Sequence, residues 1–170
     1  GAPLFDAIKR ELGEVPIIAE DLGSVTKEAM RLRDRFKFPG MRVLQFGFGG
    51  GDYNLPHTYV RRCVAYPGTH DNDTFIGWFR KATLAERRKA LEYLDSVPRE
   101  LHWQMIRSLM SSVADTVIFP TQDLLGLGEA ARMNIPGTAT GNWRWRLKPD
   151  ALSSSLAKRL RRLAKLYGRI

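Results

Sequence analysis

The sequence predicts an α/β fold of about four β/α units around a parallel sheet. Four short apolar runs recur along the chain, at residues 15–19, 41–46, 63–66 and 116–119. Each run ends in polar or glycine-rich sequence, and a segment with helical spacing of its apolar residues follows. Strands that alternate with helices are typical of parallel sheets, whose ligands bind beyond the carboxyl ends of the strands.

Two helices are predicted from a single apolar stripe. Thr26 is placed to cap the first, which Pro39 ends, and its apolar residues are Val25, Ala29, Leu32 and Phe36. The second helix follows Pro98, and its stripe consists of Leu101, Met105, Leu109 and Val113. Spacings of three and four residues put such side chains on one helix face, so we expect the second stripe to pack on the sheet.

Two further helix starts are predicted after the third apolar run. Asp73 is expected to cap a short helical turn through Trp78. Thr83 and Glu86 have the spacing of a capping box, which predicts a helix reaching about Leu94.

Length and composition limit the fold. The chain has 170 residues, of which 44% are hydrophobic, enough for the core of one domain spanning residues 1–170. A complete eight-fold β/α barrel needs roughly 250 residues and seldom fewer than about 200. A self-contained barrel enzyme is therefore not expected.

The single cysteine and the first residues bear on the compartment. Cys63 has no partner for an internal disulfide, and it lies in an apolar run where a buried, inert thiol is expected. The opening segment lacks a basic stretch followed by a long apolar one, and no window resembles a membrane span. Cytoplasmic residence is the resulting expectation, with no membrane partner.

The positive charge is concentrated at the C-terminal end. The formal net charge is +9, and residues 151–170 contain six Lys and Arg but no Asp or Glu. Asp150 is a candidate cap for a basic amphipathic closing helix, whose apolar face is Leu152, Leu156, Leu160, Leu163 and Tyr167. Docking on a polyanion or a membrane surface remains the alternative. Specific nucleic-acid binding is not expected, because Tyr167 is the only aromatic residue among these cations.

Two pairs of carboxylates follow predicted strands. Glu20 and Asp21 end the first run, and Asp71 and Asp73 follow the third. Both pairs would project from the same rim of the sheet, where converging carboxylates suit glycosyl transfer. Asp21 and Asp73 are expected to cap helices, whereas Glu20 and Asp71 are the candidates for chemistry.

Other site types find less support in the sequence. His70 could act as a base, as a hydrogen-bond donor to substrate or as a metal ligand, but no second His or Cys lies at ligand spacing from it, so no metal is predicted. Residues 47–51 resemble a phosphate loop, yet Asp52 occupies the position that needs the third glycine. A flexible loop at the end of the sheet is predicted there.

A third polar group follows the last strand. Residues 122–128, 131–138 and 141–146 combine aromatic rings with arginines and asparagines. Such side chains suit the faces and hydroxyl edges of sugars, and they suit a packed loop equally well.

These segments together resemble one known family. The sequence is similar to the 4-alpha-glucanotransferases, the amylomaltase or disproportionating-enzyme family, at residues 17–23, 38–41, 55–57, 68–74, 122–128 and 131–146. The resemblance implies a TIM-type (β/α)8 barrel, of which the four predicted strands look like the fifth to the eighth, in its C-terminal half. It implies no cofactor.

The resemblance also assigns residue roles. Glu20 matches the family's general acid/base, and Asp71 matches the carboxylate that holds sugar hydroxyls and stabilises the transition state. His70, Asn134, Phe48 and Asp52 match substrate-binding positions; for Phe48 and Asp52 the match is looser, because residues 49–51 replace a longer, acidic loop.

The implied reaction is retaining transfer of an α-1,4-glucan segment to glucose or a maltooligosaccharide. The family's nucleophile lies in an Arg-x-Asp-His-Phe-Arg-type segment, which does not occur in this sequence. The chain is therefore expected to be inactive alone and to need an N-terminal half-barrel as partner. The alternative is a remnant without catalysis that binds glucan or self-associates into a homo-oligomer.

Overall fold

The computed structural model describes residues 1–170. Its helices are α1 (Ala2–Leu12), α2 (Lys27–Arg35), α3 (Leu44–Phe48), α4 (Phe75–Lys81), α5 (Leu84–Tyr93), α6 (Leu101–Ser111), α7 (Thr121–Leu124) and α8 (Ser154–Leu166). Three strands form the sheet: β1 (Gly40–Val43), β2 (Cys63–Tyr66) and β3 (Thr116–Val117). Single 3₁₀ turns occupy Asp52–Asn54, Pro56–Thr58, Pro98–Glu100 and Glu129–Ala131.

The sheet is parallel, with strand order β1-β2-β3. Gly40 pairs with Cys63 and Val43 with Tyr66, so β1 and β2 end at the same rim. The strand predicted at residues 63–66 is confirmed, because β2 has the same bounds. It is central and largely buried, as expected of an all-apolar strand in a parallel sheet.

The other predicted strands are shortened or absent. Residues 15–19 form no strand; their backbone makes one bond to the edge of the sheet, from the Ala19 N–H to the Pro39 carbonyl at 2.9 Å. Pro16 has no N–H to donate, which weakens pairing there. The strand predicted at residues 41–46 is wrong beyond Val43, where α3 begins. Of the strand predicted at residues 116–119, only Thr116–Val117 forms.

Of the four helix N-caps predicted from the sequence, two are confirmed and two are wrong. Thr26 caps α2, and Thr83 with Glu86 forms a capping box at α5. The predicted cap Asp73 is wrong by one residue, because the hydroxyl of Thr74 accepts the Gly77 N–H in the first turn of α4 at 3.1 Å. The predicted cap Asp150 is also wrong: its φ of 59° lies outside the extended region of an N-cap, and Ser153 caps α8 instead.

The core lies between the sheet and α6. Leu101, Met105 and Leu109 are fully buried against Cys63 and Ala65 of β2, which confirms most of the predicted stripe. Val113 is exposed, because α6 ends two residues earlier. The Cys63 thiol is fully buried, and burial raises its pKa.

The basic helix α8 packs on α6 through its cations as well as its apolar face. The Arg159 guanidinium lies 3.7 Å from the ring centroid of Trp103. Arg169, which follows α8, donates to carbonyls at and just beyond the C-terminal end of α6, including that of Met110 at 3.0 Å. Leu163 is buried, whereas the predicted face residue Leu152 is exposed and precedes the helix. Arg159 and Arg169, which carry part of the positive charge near the C-terminus, therefore help to hold this end of the chain against α6. None of the helices has the length and apolar character that a membrane crossing needs.

Candidate active site

A cleft of about 530 Å³ lies at the rim where β1 and β2 end. Glu20, His70 and Asp71 all line it, and apolar side chains that include Phe46 and Tyr66 form part of its wall. The structure thus brings one carboxylate from each predicted pair into the same space. This volume falls within the range of small-molecule sites.

The exposed position of Glu20 depends on its buried neighbour. Asp21 accepts the Met41 N–H at 2.6 Å and pairs with Arg33 of α2 and, at 3.6 Å, with Arg42 of β1. It therefore ties α2 to β1 and does not cap a helix, which corrects the prediction. Successive residues of an extended chain point in opposite directions, so anchoring Asp21 inward leaves Glu20 exposed at the cleft.

A tightly bonded loop presents Asp71. The Asn72 carbonyl oxygen Oδ1 accepts the Thr69 N–H at 2.8 Å, and the Gln45 side chain donates to the Asp73 carbonyl at 2.9 Å. Gly68 lies so close to Gln45 that a Cβ there would approach its Nε2 to 2.7 Å, which explains the glycine. The loop leads into the Thr74 cap of α4, so Asp71 is held between two fixed ends.

Asp73 has a structural role that differs from the predicted one. Its carboxylate accepts the Thr74 N–H at 2.9 Å and pairs with Lys81 at 2.8 Å. Lys81 also pairs with Glu129, which connects the loop to the segment after β3. Asp73 therefore braces the base of the Asp71 loop.

The side chain of Asn134 contacts Asp71 directly. Its Nδ2 donates to Asp71 Oδ1 at 2.6 Å, and the His70 Nε2 lies 3.4 Å from the same oxygen. Both contacts use Oδ1, so Oδ2 can still accept a hydrogen bond from a ligand. The structure thus brings three of the predicted site residues together, while their chemical roles stay predictions.

Arg132 is a site residue that sequence reasoning did not single out. Its Nη2 donates to the Asp71 carbonyl and its Nε to the Asn134 carbonyl, both at 2.7 Å. One guanidinium therefore holds the two segments in register. Its fork of donors matches two carbonyls at once, which an ammonium would do less well.

Trp143 packs over the site from the third polar group. Its ring lies 5.1 Å from that of His70, and its backbone N–H donates to the Met133 carbonyl at 2.7 Å. The ring is still about half exposed. The segment thus forms a packed loop that also offers an aromatic surface beside the cleft, which combines the two interpretations left open by the sequence.

Phe48 lies outside this cleft. It is only 3% exposed, and its ring stacks on Trp78 at 5.3 Å within the core. Phe46, two positions earlier on α3, is 41% exposed and lines the cleft. Residues two apart on an α-helix point to nearly opposite sides, so one of the two rings faces the core and the other the cleft. This placement does not support the substrate contact predicted for Phe48.

Asp52 also lies outside the cleft that Glu20 and Asp71 line. It is exposed and pairs with Lys89 of α5 at 2.8 Å, and the hydrogen bond and charge of Lys89 lower the pKa of its carboxyl. Lys89 also donates to the Gly47 carbonyl at 3.0 Å. The predicted loop is helical up to Phe48, and Gly50 then adopts a φ of 111°, which favours glycine.

A buried acid lies behind the Asp71 loop. Asp123 is 2% exposed, and its Oδ1 accepts the Phe75 N–H at the start of α4 at 2.7 Å. It lines a cavity of about 160 Å³ together with His70 and Trp143. Burial, together with the nearby Asp73 carboxylate, raises the pKa of Asp123 to about 7. No group of three or more His, Cys, Asp or Glu side chains is arranged to hold a metal ion.

Comparison with known proteins places this geometry in a family. The sequence profile of glycoside hydrolase family 77, described as 4-alpha-glucanotransferase, matches residues 1–153. The chain belongs to the 4-alpha-glucanotransferase family. Among curated members of that family, the Synechocystis enzyme is 49% identical over 99% of the chain, and the Thermus thermophilus enzyme is 47% identical over 100%.

A solved structure of the family has the same local fold. The amylomaltase from Streptococcus agalactiae in complex with acarbose superimposes with a TM-score of 0.91, at 38% identity over 97% of the chain. The chain covers 34% of that amylomaltase and 34% of the Synechocystis 4-alpha-glucanotransferase. It therefore spans about a third of the length of the family members that it matches.

Proposed function

We propose that the chain supplies the acid/base side of a retaining 4-alpha-glucanotransferase that moves α-1,4-glucan segments to glucose or a maltooligosaccharide. The observation that carries the proposal is the meeting of Glu20 and Asp71 in one cleft beside the carboxyl ends of parallel strands. Family membership supports the reaction class. The substrate would be a maltooligosaccharide or a starch- or glycogen-type glucan.

In the proposed first step, Glu20 protonates the glycosidic oxygen of the departing glucan while a carboxylate attacks the anomeric carbon. Glu20 then takes the proton of the acceptor's 4-hydroxyl, which displaces the enzyme. Asp71 holds sugar hydroxyls and stabilises the positive charge at the anomeric carbon. Asn134 and His70 hold its Oδ1, which leaves Oδ2 for that role. No step needs a metal or cofactor.

The proposed nucleophile belongs to a segment outside these 170 residues. A retaining mechanism places nucleophile and acid about 5 Å apart. We therefore propose that the sheet is part of an eight-fold barrel, in which the extended segment 15–19 and β1 to β3 occupy the fifth to eighth strand positions. An N-terminal half-barrel would complete the site, and α8 would close the domain.

A second candidate function is a half-barrel that binds glucan or its own copies without catalysis. The exposed apolar side chains Phe46 and Ile118 at the cleft favour it, because such surface drives association. The basic end is not proposed to bind nucleic acid, since Arg159 and Arg169 are engaged with α6. The cytoplasm is the proposed compartment, although relatives include chloroplastic enzymes.

Incubation with maltotriose tests the proposed reaction. The longest polypeptide that carries this sequence is expected to release glucose and to form maltooligosaccharides longer than maltotriose. The number of reducing ends should stay constant, because transfer conserves glycosidic bonds whereas hydrolysis raises that number. A steady rise in reducing ends without longer products would show a hydrolase and contradict the proposal.

A further inference from the structure

A basic cleft lies at the opposite end of the sheet from the candidate active site. Its volume is about 370 Å³, and it is formed by the end of α2, by β1 and by the segment that precedes β2. Four of its eight lining residues are basic and one is acidic; the basic ones are Arg33, Lys37, Arg42 and Arg62. Because β1 and β2 are neighbours in the sheet, this chain alone forms the cleft.

The positive charge of the basic cleft is only partly neutralised. Arg33 directs its three nitrogens to Asp34 and to the buried Asp21. Lys37 and Arg62 are exposed and form no salt bridge. Two acids therefore face four basic groups, which leaves an excess of two positive charges. Such a local excess attracts an anion.

Arg42 has free hydrogen-bond donors although it is largely buried. Its side chain is 12% exposed, and its Nη1 donates to the Met41 carbonyl at 2.7 Å and lies 3.6 Å from Asp21 Oδ2. Its Nε and Nη2 donate to no acceptor of the chain, and both still reach solvent. A guanidinium in this position favours a ligand that brings acceptors, because burying a charged donor without a partner is costly.

The floor of the basic cleft is held in place without a ligand. A Cβ at Gly40 would approach the Arg33 Nη1 to 2.9 Å, so the glycine lets Arg33 lie against β1. The Arg42 guanidinium lies 5.2 Å from the ring centroid of Tyr53. Two of the four cations are therefore fixed, and a ligand would lose little affinity to ordering them.

The end of α2 opposes anion binding less than a free helix terminus would. The C-terminus of a helix carries partial negative charge on carbonyls that lack a partner. Here the Asp34 carbonyl accepts the Lys37 N–H and the Arg33 carbonyl accepts the Phe38 N–H, both at 3.0 Å. These carbonyls are thus bonded within the chain, beside the side chains that line the cleft.

A phosphate group suits these features best. Guanidinium groups bind phosphate oxygens through two parallel hydrogen bonds, and a dianion matches an excess of two positive charges. A single carboxylate would neutralise half of that excess. Phe38 and Val60 add a small apolar wall, against which the carbon skeleton of a phosphate ester could lie.

We propose that the basic cleft binds a phosphate dianion, either free phosphate or the phosphate group of a small monoester. Arg42 supplies the buried donors, and Lys37 and Arg62 supply charge at the mouth. The proposal goes beyond the proposed function, because none of the residues that line the basic cleft lines the cleft of Glu20 and Asp71.

Calorimetric titration of the longest polypeptide that carries the chain tests the proposal. The titrant is inorganic phosphate at pH 8, where phosphate is largely a dianion. An ionic strength of about 0.1 M screens charges that lie more than about 10 Å away, so that the overall charge of +9 contributes little. We expect saturable binding of one phosphate. Glucose 6-phosphate should displace it, and tighter binding of this second probe would identify the ligand as a monoester, whereas equal binding would identify the phosphate group alone.

Val60→Glu places a negative charge in the basic cleft. Val60 is 54% exposed, so the substitution should not disturb the fold. We expect the affinity for phosphate to fall by more than about 10-fold, because like charges in one site repel. The thermal midpoint of the variant reports folding.

A double variant and its matched control separate local from overall charge. Lys37→Gln with Arg62→Gln removes the two exposed cations of the basic cleft, and the affinity for phosphate should fall by about 10-fold. Lys27→Gln with Arg61→Gln makes the same change in net charge at exposed residues outside the basic cleft. This control should keep the affinity within about 3-fold.

Three results would overturn the proposal. They are the absence of phosphate binding to the unaltered protein, normal phosphate affinity of folded Val60→Glu, and an equal loss of affinity in the control pair. Phosphate binding is measured without glucan, so each of these results leaves transfer from maltotriose to be judged separately.

Discussion

Glu20→Gln is expected to lower the rate of glucan transfer by about 100- to 10,000-fold, the usual contribution of a general acid/base. The amide keeps the shape of the side chain but cannot donate a proton to the departing oxygen or take one from the acceptor. Glu20 is exposed at the cleft, so the substitution should not disturb the fold. The initial rate of glucose release from maltotriose, in the longest polypeptide that carries the chain, provides the measurement.

A donor with a good leaving group distinguishes acid catalysis from substrate binding. Departure of fluoride from a maltosyl fluoride needs no protonation, so Glu20→Gln should lose far less rate in the first step with this donor. Glu92→Gln is the matched control, because Glu92 is exposed on α5 and lies outside the cleft that Glu20 lines. Retention of more than a tenth of the maltotriose activity by Glu20→Gln would remove Glu20 from the acid/base role.

Asp123→Asn is expected to stabilise the protein above neutral pH. The pKa of Asp123 is raised from 3.8 to about 7, chiefly by burial, so between pH 4 and 7 the folded state binds a proton that the unfolded state has lost. The contribution of Asp123 to the free energy of unfolding therefore falls as the pH rises from 4 to 7, and it is constant above pH 7. The ionised carboxylate costs the folded state on the order of 4 kcal/mol at pH 8.

Asparagine avoids this cost and keeps an oxygen that can accept the Phe75 N–H. In urea unfolding, the free energy of unfolding of Asp123→Asn relative to the unaltered chain should be about 2 to 3 kcal/mol higher at pH 8 than at pH 5. Asp115→Asn, an exposed control next to β3, should show no such difference. An equal effect of Asp123→Asn at both pH values would mean that Asp123 is already ionised in the folded protein.

The sequence predicted the elements that are determined by interactions between neighbouring residues. The caps Thr26 and Thr83 bond to their own helices, and β2 is apolar throughout, so each could be assigned from neighbouring residues. The segment 15–19 has the composition of a strand, yet a strand exists only where a neighbour pairs with it. The error at Asp73 has a similar origin, because Thr74 competes for the same cap and Lys81 binds the carboxylate.

The site was predictable where a motif carried it and not where packing decided it. Glu20, His70 and Asp71 stand in segments that carry the resemblance, and the structure places all three at one cleft, while their roles stay predictions. Phe48 is a candidate through the family resemblance alone, whereas the structure has a helix at residues 44–48 that puts Phe46 and Phe48 on nearly opposite sides. Arg132 bonds a residue 61 positions away, and no local pattern reveals such a contact.

Complementation tests most directly the claim that the chain carries one half of a catalytic site. The 170-residue chain would be incubated with maltotriose alone, and then together with the N-terminal part of the Synechocystis relative, of which it matches 34%. Glucose release is expected only from the mixture, and Glu20→Gln in the chain should abolish it. Glucose release and longer maltooligosaccharides from the chain alone would contradict the claim, because the nucleophile would then lie within these residues.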